Sequence, residues 1–489
     1  MWGFYRFVRN GAENTSSCYM KYFYIPIIIA LTYSCSHAPT SAYFGGEIVN
    51  PTTDYVHLYW NNTVIDSAKL NENNRFAFQL ENLKEGLYHF DHNEYQYIIL
   101  EKGDSLMVRL NTLDFDESLV FTGEGAIKNN FLMDMFLIYE DEEKAVNKYS
   151  ELKAVEFMAK IDSLRAMKQN LLKDLNIDHT LSPLSLHIAQ SAINYRYFTD
   201  MEEYPVVHKR RMGKDQVQEL PDHFYSFRKN ISYNDSTLTY YSPYFNYLIT
   251  HFSNLALRSC KKDCIKQEEN YRRTAHYSKH KLKLIDSLVS QNKTVRDNLT
   301  RNAAFSYFLG RHTATENSEF MLAFKQYAKD NQHQEEIDKF YHNVQQMQGG
   351  LAIPTLHLVN HKGEKISLSS DTYKKNTIFY FWNYHQRNHL SNILTRIHHL
   401  KDKYPDFDYI GINVNSDQTL WLQNIASIKD TEDAKNQYRT DNVEELLSSL
   451  VIKNLNKVIV VDKDGKIAEG FANIYYTRHL ENTLEAIND

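Results

Sequence analysis

Cys260 and Cys264 are the one closely spaced cysteine pair in the chain, in the run Cys260-Lys-Lys-Asp-Cys264. Two thiols this close can form a disulfide, and the lysines between them can lower a thiol pKa, which is what thiol–disulfide exchange requires. The gap is one residue longer than that of a CxxC redox motif. The same pair reads equally as a structural disulfide closing an interhelical turn, or as two free thiols. One continuous helix through both would strain a bridge, since Cα atoms four residues apart lie near the upper disulfide distance. The second candidate is His385 with His389, an i, i+4 pair that can hold a transition metal on one helical face. No Cys, Asp or Glu stands at ligand spacing beside it. His398 and His399 follow, but a helix turns about 100° per residue, so they need not face the first pair. With 21 histidines in the chain, polar or half-buried surface histidines are the alternative. No Gly-rich phosphate loop, Ser/His/Asp signature or paired-carboxylate pattern stands out, and no cofactor is expected. Asp462 and Asp464 sit in a hairpin turn, where such side chains cap backbone groups.

The elements that must position these residues form an α+β multidomain chain. Its 489 residues exceed one ordinary domain. Sixteen glycines and nine prolines are few for that length and favour long helices. Residues 36–127 alternate in short runs, as in Tyr55–Tyr59, Arg75–Phe78, Tyr95–Leu100 and Ser105–Leu110, with turns at Asn71–Asn74 and Lys102–Asp104. That pattern predicts a β-sandwich. Residues 128–348 carry apolar residues at three and four, as in Val155, Met158, Ile161 and Leu164, and predict a helical region. Gly349-Gly350 marks a linker. Residues 349–489 alternate strand and helix: a hairpin around Asn360–Gly363, a strand to Trp382, a helix over 388–403, a strand over 408–413, helices over 417–428 and 442–450, a strand over 457–461 and a last helix over 477–487. This predicts an α/β domain. The net charge of −6, with acids and bases interspersed, gives no basic stripe for a phosphate backbone, so no nucleic-acid partner is expected.

The first 35 residues have a different character. Lys21 precedes the apolar stretch Tyr22–Leu31, followed by Thr32-Tyr33-Ser34-Cys35. This resembles a bacterial lipoprotein signal peptide beginning at Met20, with Met1 the other start. The bulky Tyr33 departs from the usual lipobox. The alternative is a signal cleaved elsewhere, or an anchor, with Cys35 unmodified. The resemblance implies acylation of Cys35 and a lipid-anchored protein of the cell envelope, in the outer membrane facing the periplasm, where Cys260 and Cys264 would be free to pair.

Two further resemblances follow from motifs. Gly45-Gly-Glu-Ile-Val, an Asp66…Phe76-Ala-Phe hairpin, Leu100-Glu-Lys-Gly-Asp-Ser-Leu and Phe121-Thr-Gly-Glu-Gly-Ala-Ile-Lys-Asn-Asn130 resemble the β-domain of the DUF4369 type. The strand ending Phe381-Trp382 and turning directly into a helix resembles the active-site corner of the TlpA-like branch of the thioredoxin fold. So does the hairpin Val461-Asp-Lys-Asp-Gly-Lys-Ile467. In that family the corner carries Trp-Cys-x-x-Cys. Here the two cysteine positions fall on Gln386 and His389, and the cis-proline position on Asn456. No cysteine lies between 265 and 489, so thiol exchange at this corner is chemically excluded. What the resemblance leaves is a groove beside Trp382, His385, Gln386, His389 and Asn456 that holds an extended polypeptide by β-augmentation. The expected function is a redox-inactive binding or scaffolding protein whose partner is an envelope protein or peptide. The alternatives are a groove filled by the chain's own helical region, an oxidoreductase acting through Cys260 and Cys264, and a metal-binding module at His385 and His389.

Overall fold

The computed structural model describes residues 40–213, 220–260, 274–383, 386–415, 417–428 and 431–488. The N-terminal part contains β1 (Ala42–Val49), β2 (Tyr55–Trp60), β3 (Thr63–Lys69), β4 (Arg75–Leu80), β5 (Gly86–Asp91), β6 (Tyr95–Leu100), β7 (Ser105–Asn111) and β8 (Val120–Glu124). They form two sheets, ordered β4-β1-β7-β8 and β3-β2-β5-β6. Alternate residues of β4, β5 and β7 turn inward, the period-two burial of a sheet with one wet face. Phe44 of β1 is the hub of the core between the sheets, with its ring 5.4 Å from Phe76, 6.0 Å from Phe78 and 5.3 Å from Phe90. The expected Asp66…Phe76 hairpin does not form. Asp66 lies in β3 and Phe76 in β4, and these strands belong to different sheets. The asparagine turn is there, with the Asn71 N–H donating to Arg75 O at 2.9 Å. After that one bond β3 pairs with β2 and β4 with β1. A turn fixes local geometry, whereas the choice of sheet follows from which face each strand can bury.

The helix Ala126–Tyr149 explains the last of the motifs. Its first turn sits at the open edges of both sheets. The Asn129 side chain accepts from the Ile99 N–H at 2.7 Å and donates to Ile99 O at 3.0 Å, on edge strand β6. Asn130 does the same for Phe121 on edge strand β8, at 2.9 Å each way. Each carboxamide thus replaces the backbone of a missing neighbour strand. Between them Lys128, only 8% exposed, places its ammonium 2.6 Å from Glu101 and 2.7 Å from Asp104. The hydroxyls of Ser182 and Ser185 also donate to Glu101, and these residues begin the helix Pro183–Met212. The Glu-Lys-Gly-Asp turn therefore locks the sandwich to the helical region.

That region continues through helices Ala154–His179, Ser242–Ser259, Ala275–Leu288, Lys293–Phe308, Ala314–Tyr327 and Gln334–Gln346. Ser182, Thr274, Asn292 and Thr313 each cap a helix N-terminus with a side-chain oxygen, and Thr313 forms a full capping box with Glu316. At its centre lies a fully buried carboxylate, Glu202. Arg228 grips it at 2.7 and 2.5 Å, His251 Nδ1 lies 2.8 Å away, and Asn254 donates at 2.8 Å. Burial alone would raise the pKa of Glu202. The hydrogen bonds from His251 and Arg228 outweigh it and hold the group at about 2.

The C-terminal sheet holds β9 (Leu356–Val359), β10 (Lys365–Leu368), β11 (Thr377–Trp382), β12 (Asp408–Asn413), β13 (Gln437–Arg439), β14 (Lys457–Val461) and β15 (Ile467–Asn473), ordered β10-β9-β13-β12-β11-β14-β15. β11 is parallel to β12 and antiparallel to β14. Every residue of β11 and β14 is buried, so both faces of the sheet are covered. One face, with Ile378, Tyr380 and Trp382, packs on helices Arg387–Lys403, Gln418–Ala426 and Thr477–Asn488. The other, with Phe379, Phe381, Ile459 and Val461, shares one core with the short helix Val443–Ser449 and with Phe340, Val344 and Met347 of the helical region. The Gly349-Gly350 segment is not a loose linker. The Gly350 N–H donates to Ile467 O at 2.8 Å, and the Ile467 N–H donates back to Leu351 O at 2.8 Å. A Cβ on Gly470 would come within 2.2 Å of Met347 O, so this close approach requires glycine.

Two outcomes follow. Asn129→Ala leaves the N–H and C=O of Ile99 buried without partners, and the urea midpoint should drop by an amount equivalent to about 2–3 kcal/mol. Asn129→Asp, which keeps only the acceptor, should lie between. For Glu202 the folded pKa lies below the unfolded value of 4.5. Its contribution is therefore fully present above pH 4.5 and is lost as pH falls towards 2, an effect of about 3 kcal/mol. Acid titration of Glu202→Gln, followed by circular dichroism, should show a shallower loss of stability across that window than the wild type.

Candidate functional site

The corner is built by β11 ending at Trp382 and the helix Arg387–Lys403 beginning five residues later. Gln386 is the N-cap residue. Its N–H donates to Asn383 O at 3.0 Å, and its own carbonyl accepts from the Leu390 N–H at 3.1 Å. Its side chain is exposed. His389, one turn in, is half-buried. Its Nε2 lies 2.9 Å from Oδ1 of Asn456, so the imidazole donates and the carboxamide accepts. Nδ1 of His389 is buried and has no hydrogen-bond partner among the described residues. Asn456 lies just before β14, and its carbonyl accepts from the Ile474 N–H at 2.8 Å. Gln386, His389 and Asn456 thus meet at the corner, and His389 and Asn456 are hydrogen-bonded to each other.

Trp382 departs from expectation. It was placed beside a groove, yet its side chain is fully buried, and its indole N–H donates to Gln437 Oε1 at 2.9 Å. Gln437 in turn donates to the Tyr380 hydroxyl at 2.6 Å and to Asp433 O at 2.9 Å. Room for the amide comes from Gly411, where a Cβ would lie 2.1 Å from Gln437 Oε1. The aromatic end of the strand anchors the sheet's core. Gln437 sits in a three-residue strand, too short to show any periodicity, so no sequence signal pointed to it.

The histidines of the corner helix do not converge. His389 turns to Asn456, His398 pairs with Asp433 alongside Lys401, and His399 is exposed. His385 lies outside the described residues. Among the described residues no group of three or more His, Cys, Asp or Glu side chains is placed to hold a metal ion. Cys260 caps the C-terminus of the helix Ser242–Ser259, is 6% exposed and is disulfide-bonded. Cys264 and Cys35 lie outside the described residues. No helix among them is long and apolar enough to cross a membrane.

The loop carrying Asn456 is shaped by an unusual helix end. Helix Val443–Ser449 closes with the Ile452 N–H donating to Leu447 O at 2.8 Å and the Val451 N–H donating to Ser448 O at 3.2 Å. This Schellman closure puts the residue after the cap in the left-handed region, a place usually taken by glycine. Here it is Val451, buried, at φ +53°, a conformation costing a β-branched residue about 1–2 kcal/mol. Lys457 stabilises the same helix end. Its ammonium donates to Leu450 O at 2.7 Å and Val451 O at 3.1 Å, and lies 4.4 Å from the centre of the Phe471 ring. A cation at a helix C-terminus meets the negative end of the dipole. Burial pushes the Lys457 ammonium down to about 7, against the opposing charge of Glu469.

A family model described as thioredoxin-like matches residues 374–467, the stretch from just before β11 to the start of β15. No curated protein matches the chain at a significant level. Among solved structures, the thioredoxin domain of a thiol-disulfide oxidoreductase from Bacteroides vulgatus is 26% identical over 29% of this chain and 99% of its own, with a TM-score of 0.23. A thiol-disulfide oxidoreductase from Bacteroides fragilis is 25% identical over 28% of this chain and 98% of its own, with a TM-score of 0.23. A thioredoxin-like protein from Bacteroides caccae covers more, 56% of this chain and 96% of its own, at 11% identity and a TM-score of 0.33. The C-terminal domain is thioredoxin-like.

Proposed function

We propose that the chain is a redox-inactive, thioredoxin-like lipoprotein of the bacterial cell envelope that binds or scaffolds an envelope protein or peptide. The observation that carries this reading is the hydrogen bond between His389 and Asn456. It joins the second cysteine position to the cis-proline position with groups that neither form a thiolate nor accept electrons from one. The rim left for an extended polypeptide is Gln386, His389 and Asn456, with Trp382 withdrawn into the core. The N-terminal sandwich fits the DUF4369 type, because its characteristic Glu-Lys-Gly-Asp turn and Lys-Asn-Asn run form one interlocked contact. The competing oxidoreductase reading would run through Cys260. Its burial at a helix cap and its disulfide favour a structural role instead.

Reduction of insulin by dithiothreitol should proceed no faster with the protein than without it. The double variant Cys260→Ser, Cys264→Ser should behave the same. Turnover in the wild type that the double variant loses would establish the oxidoreductase reading. Turnover that survives it would overturn the assignment of the corner as inactive. Anchoring is tested separately. Expressed in a bacterial host fed an alkynyl fatty acid, the protein should take up label and sediment with membranes, and Cys35→Ala should lose the label. Label retained by that variant would move the modification elsewhere.

A further inference from the structure

Beside the corner, the helical region and the thioredoxin-like domain enclose a cleft of about 820 Å³. That volume falls in the range of small-molecule sites. Helices Ser242–Ser259, Ala275–Leu288 and Lys293–Phe308 supply one wall, and the Val451–Lys457 loop and the end of β15 the other. We propose that this cleft binds a small organic anion through carboxylate or phosphate oxygens. The inference is independent of the peptide groove and of any thiol.

The charge of the lining comes first. Lys281, Arg311, Lys453 and Lys457 line the cleft together with His312 and His479, and among the described residues no aspartate or glutamate does. The chain as a whole has more acids than bases, 61 against 55, so the described part of this wall departs from its composition. Glu469 lies outside the lining and holds Arg311 and His479, each at 2.9 Å. The positive field inside the cleft therefore rests on Lys281, Lys453 and Lys457. Low-dielectric walls concentrate such a field on a bound ion.

The second observation is how Lys457 is held. An ammonium has three donors, and two are used on Leu450 O and Val451 O. This fixes the nitrogen in the cleft wall beside the Phe471 ring, and among the described residues no hydrogen bond takes its third donor. Burial has lowered its affinity for a proton, and an anion beside it would restore the charged form. The third is strain. Val451, in the left-handed region, lines this cleft. Strained backbone held in place by its surroundings gathers at ligand sites, and here the strain directs two carbonyls at the ammonium. Lys453 adds an exposed cation, over the Phe305 and Phe340 rings at 5.1 and 5.5 Å. The exposed Tyr476 ring lines the cleft at its outer edge.

The test is isothermal titration of the full chain with sodium pyrophosphate, citrate and triglutamate, at low and at moderate salt. At least one should bind with a Kd tighter than ~1 mM, more weakly as salt rises. A preference for pyrophosphate or for the carboxylates assigns the oxyanion. Ser306 is an exposed helix residue that lines the cleft. Ser306→Glu places a negative charge there and should weaken binding at least ~10-fold, whereas Ser306→Gln should retain it. Lys457→Met should abolish binding but also loosens the helix end, so Ser306→Glu decides. Failure of all three probes to bind at ~10 mM, or equal affinity in Ser306→Glu and wild type, overturns the proposal.

Discussion

The two central strands of the C-terminal sheet, Thr377–Trp382 and Lys457–Val461, bury every side chain they carry. A sheet of this kind must be covered on both faces. Its own helices cover one. On the other the domain offers only the seven-residue helix Val443–Ser449, too little for seven strands. The helical region supplies the rest, and Phe340, Val344 and Met347 lie in one core with Phe379, Phe381 and Ile459. This requirement accounts for much else: the pinned Gly349-Gly350 segment, the glycine at 470, the Arg311–Glu469 ion pair between the two parts, and the cleft left where the two surfaces curve apart.

The same requirement explains what could be read from the sequence. Continuous apolar runs such as 377–382 and 457–461, and charged helices with apolar residues at three and four, carry their burial in their own pattern. The two strands were legible residue by residue, and the helices of 128–348 as a helical region without their individual limits. β3 was not, because most of its residues are exposed on an edge and neither face leaves an alternating signature. β13 was not, being three residues long. The Asp66…Phe76 pairing failed because an asparagine turn specifies how the chain reverses and says nothing about which sheet receives each strand. Of the candidate site, the amide of Gln386 and the imidazole of His389 were legible as residue types at the turn from strand to helix. The hydrogen bond from His389 to Asn456 was not, and neither was the burial of Trp382, whose partner Gln437 comes from 55 residues away.

The corner of the C-terminal domain is a strand that turns directly into a helix. The turn from strand to helix is held by Gln386 at the helix N-cap, by the Trp382–Gln437–Tyr380 chain beneath it, and by the loop tied to Ile474. None of these contacts involves sulfur. The hydrogen bond from His389 to Asn456 ties the corner to the facing loop.

The two asparagines at the head of the helix Ala126–Tyr149 bear on the order in which the chain is made. All eight sandwich strands leave the ribosome before that helix is complete. In that interval the edge strands present raw hydrogen-bonding groups, the kind of surface on which nascent chains stick together. Asn129 and Asn130 engage two of these edges, β6 and β8, as soon as the next turn of chain emerges, so the beginning of the second part closes one edge of each sheet of the first. A fragment cut at the last strand would lose that seal together with Ala126 and Met133 of the sandwich core.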